Sequence, residues 1–564
     1  MIKKLIGALN ELDELKRMSG KGDAKILRAL NIVSKSKLTD ADSLIRFHET
    51  LLFLCAYPPS AAVLNQVEKI LKSFGQRVSQ LSDAEAALSA LDDPEVSGTA
   101  GTSVTSNFSY AIVRGLVEKY PRQVSIDWDW FEEEDRFGAT MPRLLPLLEE
   151  DAMVEAHVPY CDWLRAAKGR AKDVIWLIER FGSLNLPDKG KAEFYDSLKL
   201  HVRWKFGLRA SRTGMRLPVR KVFFHRSPLI QRRDISLATE LASPPIAVEK
   251  ISPTAGEKIL DMACETSAVR YRELHGFTYG DSRRVLKASL GRSTEVFVMG
   301  VPPEHRLPLR AYHAALICKN GVPVAYFEGL SIFERMESGF NLYYTFRDGE
   351  TAWLYARILR LMRQLLGVTA FSIDPYQVGH ENEEGIESGA FWFYRKLGFR
   401  PVRPDLLKLA LSEERRIAAN TQHRTSARTL RKLAAGHLLF EIPKLGAHTR
   451  KWDRFEVRNL GLAVQRRMAA QFHCDAGRIR AESINYVRGA LGLRVPGSRN
   501  EELSALENLA LVLAMIPGIE QWDSNEKQLT ERIIHAKATN DEARYLRLMQ
   551  KHARLRAGMI ALGS

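Results

Sequence analysis

Cysteine chemistry has little to work with in this chain. Cys55, Cys161, Cys264, Cys318 and Cys474 are the only thiols in 564 residues, and none shows CxxC spacing. A disulfide framework and a cysteine-bound zinc site therefore have no support. The pattern suits a reducing cytoplasm, with each thiol a small buried hydrophobe. Long apolar runs are missing too. Leu509–Ile516 is the longest, far short of the roughly 20 residues a membrane helix needs. Met1–Leu9 begins like a signal peptide, but Glu11, Asp13 and Glu14 follow before an apolar core develops. No P-loop, dinucleotide glycine pattern, GxSxG elbow, HExxH motif or fixed-period repeat occurs. Nucleotide hydrolysis, hydride transfer, serine hydrolysis and zinc proteolysis are left without a sequence basis. His380 with Glu381, Glu383 and Glu384 comes nearest to a ligand cluster; its spacing reads as a solvated loop, so no metal is expected.

Acidic residues are absent from Lys199–Arg233, which holds eleven Lys and Arg. Leu411–Arg458 has eleven basic residues against five acidic ones. These two stretches account for the whole +16 of the chain, so the positive charge is localised. Localised positive charge attracts RNA, other nucleic-acid backbone or anionic surfaces. Trp204, Phe206, Phe223 and Phe224 are interleaved with the first stretch and would suit base stacking. The alternative is a solvated segment paired with acidic residues elsewhere.

The chain is too long for one core, and its patterning divides it. Residues 1–198 read as a helical domain, with an apolar stripe at Leu44, Phe47, Leu51 and Leu54 and a Ser82–Glu85 capping box. Residues 199–245 form the basic segment and a linker ending in Ala242–Pro245. Residues 246–410 change period repeatedly. Strands are expected at Ile246–Ile251, Glu295–Val301, Tyr312–Lys319, Val322–Ile332, Phe340–Phe346 and Val368–Ile373. Asn320–Gly321 between two of them is the preferred pair for a two-residue hairpin turn. From Trp353 the apolar residues Leu354, Ile358, Leu361 and Leu365 mark an amphipathic helix ending at Gly367. A helix between Phe340–Phe346 and Val368–Ile373 makes those two strands parallel partners. Residues 411–564 read as helical again. The fold class is thus multidomain α and α/β, a central mixed sheet flanked by helical N- and C-terminal domains.

The order of elements in 246–410, with Ala390–Phe399 (AFWFYRKLGF), resembles the acyl-CoA N-acyltransferase (GNAT) superfamily. The resemblance covers under a third of the chain. It implies a splayed mixed sheet, acyl-CoA as co-substrate and an amine acceptor, either a small molecule or a protein. Tyr394 takes the position of the acid that protonates the departing thiolate. Glu328 is the candidate base, with Glu334 and Glu337 as alternatives. The family's phosphate loop falls on Arg347–Ala352, so Tyr344, Phe346, Arg347, Gly349, Thr351 and Ala352 are the expected CoA contacts. There the backbone N–H groups of a helix N-terminus would hold the pyrophosphate. Two positions depart from the pattern: Glu350 stands where the loop has its middle glycine, and Glu387 where the later helix has asparagine. Glu350 would face the pyrophosphate or the solvent. Fem-type transferases, which take aminoacyl groups from tRNA, are the nearest variant; their donor presents no pyrophosphate at this loop. A GNAT-like scaffold without catalysis is the third reading.

Overall fold

A computed structural model describes residues 2–17, 22–81, 84–146, 159–442, 452–493, 500–539 and 541–564. The Ser82–Glu85 capping box begins outside the described residues. The N-terminal region opens with helices, of which α1 (Ala41–Ala56) is the most buried. Asp40 caps it by accepting from the Ser43 N–H at 2.8 Å, as an orphan donor at a helix start requires.

The region before residue 199 is not purely helical. β1 (Ser103–Ser106), β2 (Val124–Ile126) and β3 (Val202–Lys205) form a three-stranded antiparallel sheet with β3 in the middle. β3 belongs to the basic stretch, and alternation along it turns Trp204 fully into the core while Arg203 reaches out to Asp127. Phe206 is buried as well. The expectation that Trp204 and Phe206 stack on bases is therefore corrected: both rings serve packing.

The central sheet has nine strands: β4 (Val248–Lys250), β5 (Leu286–Gly291), β6 (Thr294–Met299), β7 (Ala311–Lys319), β8 (Val322–Ile332), β9 (Arg335–Leu342), β10 (Ala370–Ile373), β11 (Arg400–Pro401) and β12 (Leu438–Glu441). Its spatial order is β11-β12-β10-β9-β8-β7-β6-β5-β4. Neighbours are antiparallel except β9 and β10, which run parallel. α2 (Pro253–Ala268) links β4 to the later strands. α3 (Thr351–Leu366) makes the crossover between the parallel pair and ends on Gly367 at φ 73°, a left-handed position that glycine adopts without Cβ strain. α4 (Ala390–Lys396) precedes β11. At the hairpin, Asn320 and Gly321 have φ 47° and 79°, the positive pair that a tight turn between twisted strands needs.

Two strand assignments move. The strand expected at Phe340–Phe346 is β9, which starts at Arg335 and ends at Leu342; Tyr344–Phe346 is a 3-10 turn closed by the Phe346 N–H on the Tyr343 carbonyl. The sheet also runs past residue 410. β12 follows two helices, at Pro404–Ala419 and Ala427–Leu433, and inserts between β10 and β11.

Successive residues of a strand face opposite sides of a sheet. On one side α3 packs against β9, with Tyr355 5.2 Å ring to ring from Phe340 and its hydroxyl 2.9 Å from Ser338 Oγ. The opposite side is shared. α2 and Phe277 cover β6 and β7 through Ile259, Phe297 and Leu316, while C-terminal helices reach Ile332, Ala370 and Leu439. α5 (Ser524–Ala538) and α6 (Glu542–Lys551) are tied to the start of β7. Lys537 Nζ lies 2.6 Å from Glu542 and 2.9 Å from the Arg310 carbonyl, and Glu542 accepts from the Tyr312 N–H at 3.1 Å. No helix among the described residues is long and apolar enough to cross a membrane.

Candidate functional site

The turn expected to hold a pyrophosphate is occupied by the protein itself. Arg347 pairs with Glu95 at 2.9 Å and with Glu384. Asp348 pairs with Arg17 at 2.7 Å. A Cβ on Gly349 would lie 2.5 Å from the Tyr57 hydroxyl, so the side chain after α1 fills the space above that backbone. The Glu350 N–H, the amide at the helix start, points at the Tyr57 oxygen at 3.4 Å. Phe346 and Ala352 are buried in the core, and Thr351 Oγ1 bonds the Arg347 carbonyl at 3.3 Å. Tyr344, half exposed, stacks under the Arg347 guanidinium at 5.3 Å. Tyr57 thus covers the backbone at Gly349 and Glu350.

Glu350 faces neither pyrophosphate nor solvent, which corrects both expectations for it. It is fully buried, 2.6 Å from Arg292, 3.5 Å from the equally buried Lys319 and 3.1 Å from the Ile230 N–H. Burial pulls the Lys319 ammonium down to about 8 against the attraction of Glu350, because desolvation penalises the charged form. The three charges come from strand ends β5–β6 and β7–β8 and from the start of α3. The carboxylate is there because two cations converge on it.

Tyr394 sits on the α3 side, buried, with ring centroids of Tyr355 and Phe399 at 5.6 and 5.7 Å. Burial alone pushes its phenol above the usual tyrosine range, so it stays protonated. Glu328 lies on the opposite side of the sheet. It is registered against Ala314 and Gly339, and it accepts a hydrogen bond from the Tyr312 hydroxyl, which itself accepts from the Gly276 N–H at 3.0 Å. Burial and then the Glu328 carboxylate raise the Tyr312 phenol, fixing it as the donor. The fold thus does not set Tyr394 and Glu328 side by side; the sheet separates them.

The same outer face carries a cleft that spacing could not reveal. β9 and β10 pair only over Arg335–Glu337 and Ala370–Ser372; β9 then continues to Leu342 while the chain turns away at Asp374. At this parting a cavity of about 330 Å³ is lined by Arg310, Arg335, Glu337, Asp374, His437 and Arg458, among others. Glu337 is registered with Ser372, and Ile373 with Leu438, so Glu337, Asp374 and His437 point to one face. Their ligating atoms lie within 4.8 Å of one another. Glu337, an alternative to Glu328 as base, is thus a strand residue in a cleft. Asp374, at the carboxyl end of a parallel strand, occupies the position where open α/β sheets place ligands. The Asp-Pro pair closing a buried strand was the available signal. Glu334, the other alternative base, pairs with Arg556 at 2.6 Å.

The basic stretches are partly spent inside the protein. Arg212 is buried against Glu49 at 2.8 Å and Arg216 meets Glu68 at 2.8 Å. Lys205, Arg209, Arg220, Lys221, Arg226 and Arg233 are exposed, as are Arg424 and Arg428. Both stretches reach α4: Arg232 donates to the Lys396 carbonyl at 3.4 Å, and Trp392 donates to Thr425 at 3.1 Å. No protein family, curated protein or solved structure matches this chain.

Proposed function

We propose that the protein is a GNAT-like N-acyltransferase that takes its acyl group from an RNA-borne ester, as Fem-type transferases do, rather than from acyl-CoA. The observation that carries this reading is the parting of the parallel strands β9 and β10 beside a polar cleft. The sheet residues that line the cleft all lie on the Glu328 side; for Tyr394 to act on the same group, the activated acyl ester would have to pass between the parted strands. Glu328, oriented by Tyr312, takes one proton from the acceptor ammonium, and the freed amine then attacks the ester carbonyl. Tyr394, kept protonated by burial, gives its proton to the leaving oxygen as the ester C–O bond breaks and regains one from the nitrogen that becomes the amide. The plugged turn at Gly349 and Glu350 is compatible with a donor that has no pyrophosphate to anchor there. The exposed arginines flanking α4 supply phosphate contacts instead.

The test is transfer of a labelled group from aminoacyl-tRNA, acetyl-CoA and long-chain acyl-CoA to a panel of amines. Transfer from the tRNA alone is expected. Transfer from a CoA ester would overturn the donor assignment. No transfer from any of them would favour the scaffold reading, to which the closed turn and the fully packed Tyr394 ring lend weight.

A further inference from the structure

We propose that Glu337, Asp374 and His437 bind a divalent transition-metal ion in the cleft between β9, β10 and β12. The three come from positions far apart in sequence, and the sheet register brings a ligating atom of each within 4.8 Å of the others. Two carboxylates that close repel each other unless a cation lies between them. Among the described residues no hydrogen bond or ion pair joins the three to one another. Asp374 Oδ1 accepts from the Tyr376 N–H at 2.8 Å, which fixes that carboxylate at the end of β10. Glu337 has a loose pair, Arg310 at 3.5 Å.

The second observation is the imidazole. His437 Nδ1 is closed off from solvent and has no hydrogen-bond partner, although buried polar atoms are nearly always paired. Metal coordination is a common use of such a ring. Two oxygen ligands and one nitrogen suit Mn²⁺, Fe²⁺ or Zn²⁺ better than Mg²⁺ or Ca²⁺, which prefer oxygen alone. Three protein ligands leave coordination positions open toward the cavity. The guanidiniums nearby set the sign of the test. Arg335 spends its donors on Ser372 Oγ and on the carbonyls of Trp452 and Phe455. Arg310 competes directly with an ion for Glu337.

The experiment titrates chelator-treated full-length protein with MnCl₂ and, separately, ZnCl₂ by calorimetry, with the Mn²⁺ electron paramagnetic resonance signal as a second readout. No acyl donor or acceptor is present, so the outcome is independent of the transfer reaction. One equivalent is expected to bind. His437→Ala and Glu337→Gln should each weaken binding by about 100-fold, and Arg310→Gln should tighten it by removing the rival cation. Unchanged melting of the metal-free variants shows that the loss is at the site; should one variant unfold, the other carries the comparison. Absence of binding of both ions to the wild type, or binding indifferent to both ligand substitutions, would overturn the proposal.

Discussion

The Tyr57 hydroxyl lies only 2.5 Å from where a Cβ of Gly349 would be. Residue 349 is glycine because an aromatic side chain from the N-terminal helices closes over it. The glycine that resembles part of a phosphate loop is packed under Tyr57. Gly349→Ala should therefore disturb the joint between the N-terminal region and the sheet. Loss of stability without any change in acyl-CoA affinity is the expected result, read by thermal melting and calorimetry side by side.

Glu350 offers a sharper case. Removing its charge as Gln leaves the buried Lys319 and the partly exposed Arg292 without their counter-charge. Breaking a buried pair costs about 3–5 kcal/mol, so Glu350→Gln should melt well below the wild type. Lys319→Met made together with Glu350→Gln should recover part of the loss, and a double-mutant cycle in urea measures the coupling.

The same lysine gives a pH dependence. Its ammonium is lowered to about 8 in the folded protein from an ordinary 10.5. Between those values the unfolded chain binds more protons than the folded one, so this group adds stability as pH rises through that window. Below about 8 the contribution is absent. Lys319→Met should remove that part of the slope, which unfolding curves of both proteins at pH 7.5 and 9.5 (on the order of the window from the linkage relation) would show.

For the transfer reaction, Glu328→Gln and Tyr394→Phe should each lower the rate by about 10²–10⁴-fold, the usual worth of a positioned acid or base. Tyr394→Phe keeps the ring among Tyr355 and Phe399, so its melting temperature should not move. Equal rates for wild type and Tyr394→Phe would reduce that side chain to packing.

RNA binding should weaken linearly on a log–log salt plot. Replacing the exposed Arg226, Arg233, Arg424 and Arg428 with glutamine should flatten the slope by about 0.7 for each single-strand phosphate left unneutralised. A slope unaltered by all four changes would move the interface elsewhere.

What the sequence revealed was local. Asn320–Gly321 names its own turn, and Leu354, Ile358, Leu361 and Gly367 mark a helix and its end without outside help. The parallel pairing of β10 followed from the intervening helix. What stayed hidden depends on distant partners. Nothing near Glu350 announces Arg292 and Lys319, and nothing near His437 announces Glu337. β12 is four residues long after a run of helices, too short for alternation to register. Trp204 looked available because its neighbours are basic, yet one face of β3 is core and the other is not.

The placement of β12 has a consequence for synthesis. β10 leaves the ribosome by residue 373, but the strand that covers its free edge is not complete until Glu441. At about 5–20 residues per second, the nascent chain waits several seconds with Ala370–Ile373, all four residues buried in the finished fold, presenting an unpaired edge. Such edges recruit other strands. A chain terminated near residue 410 would keep that edge permanently, and aggregation of the truncated product is its natural fate.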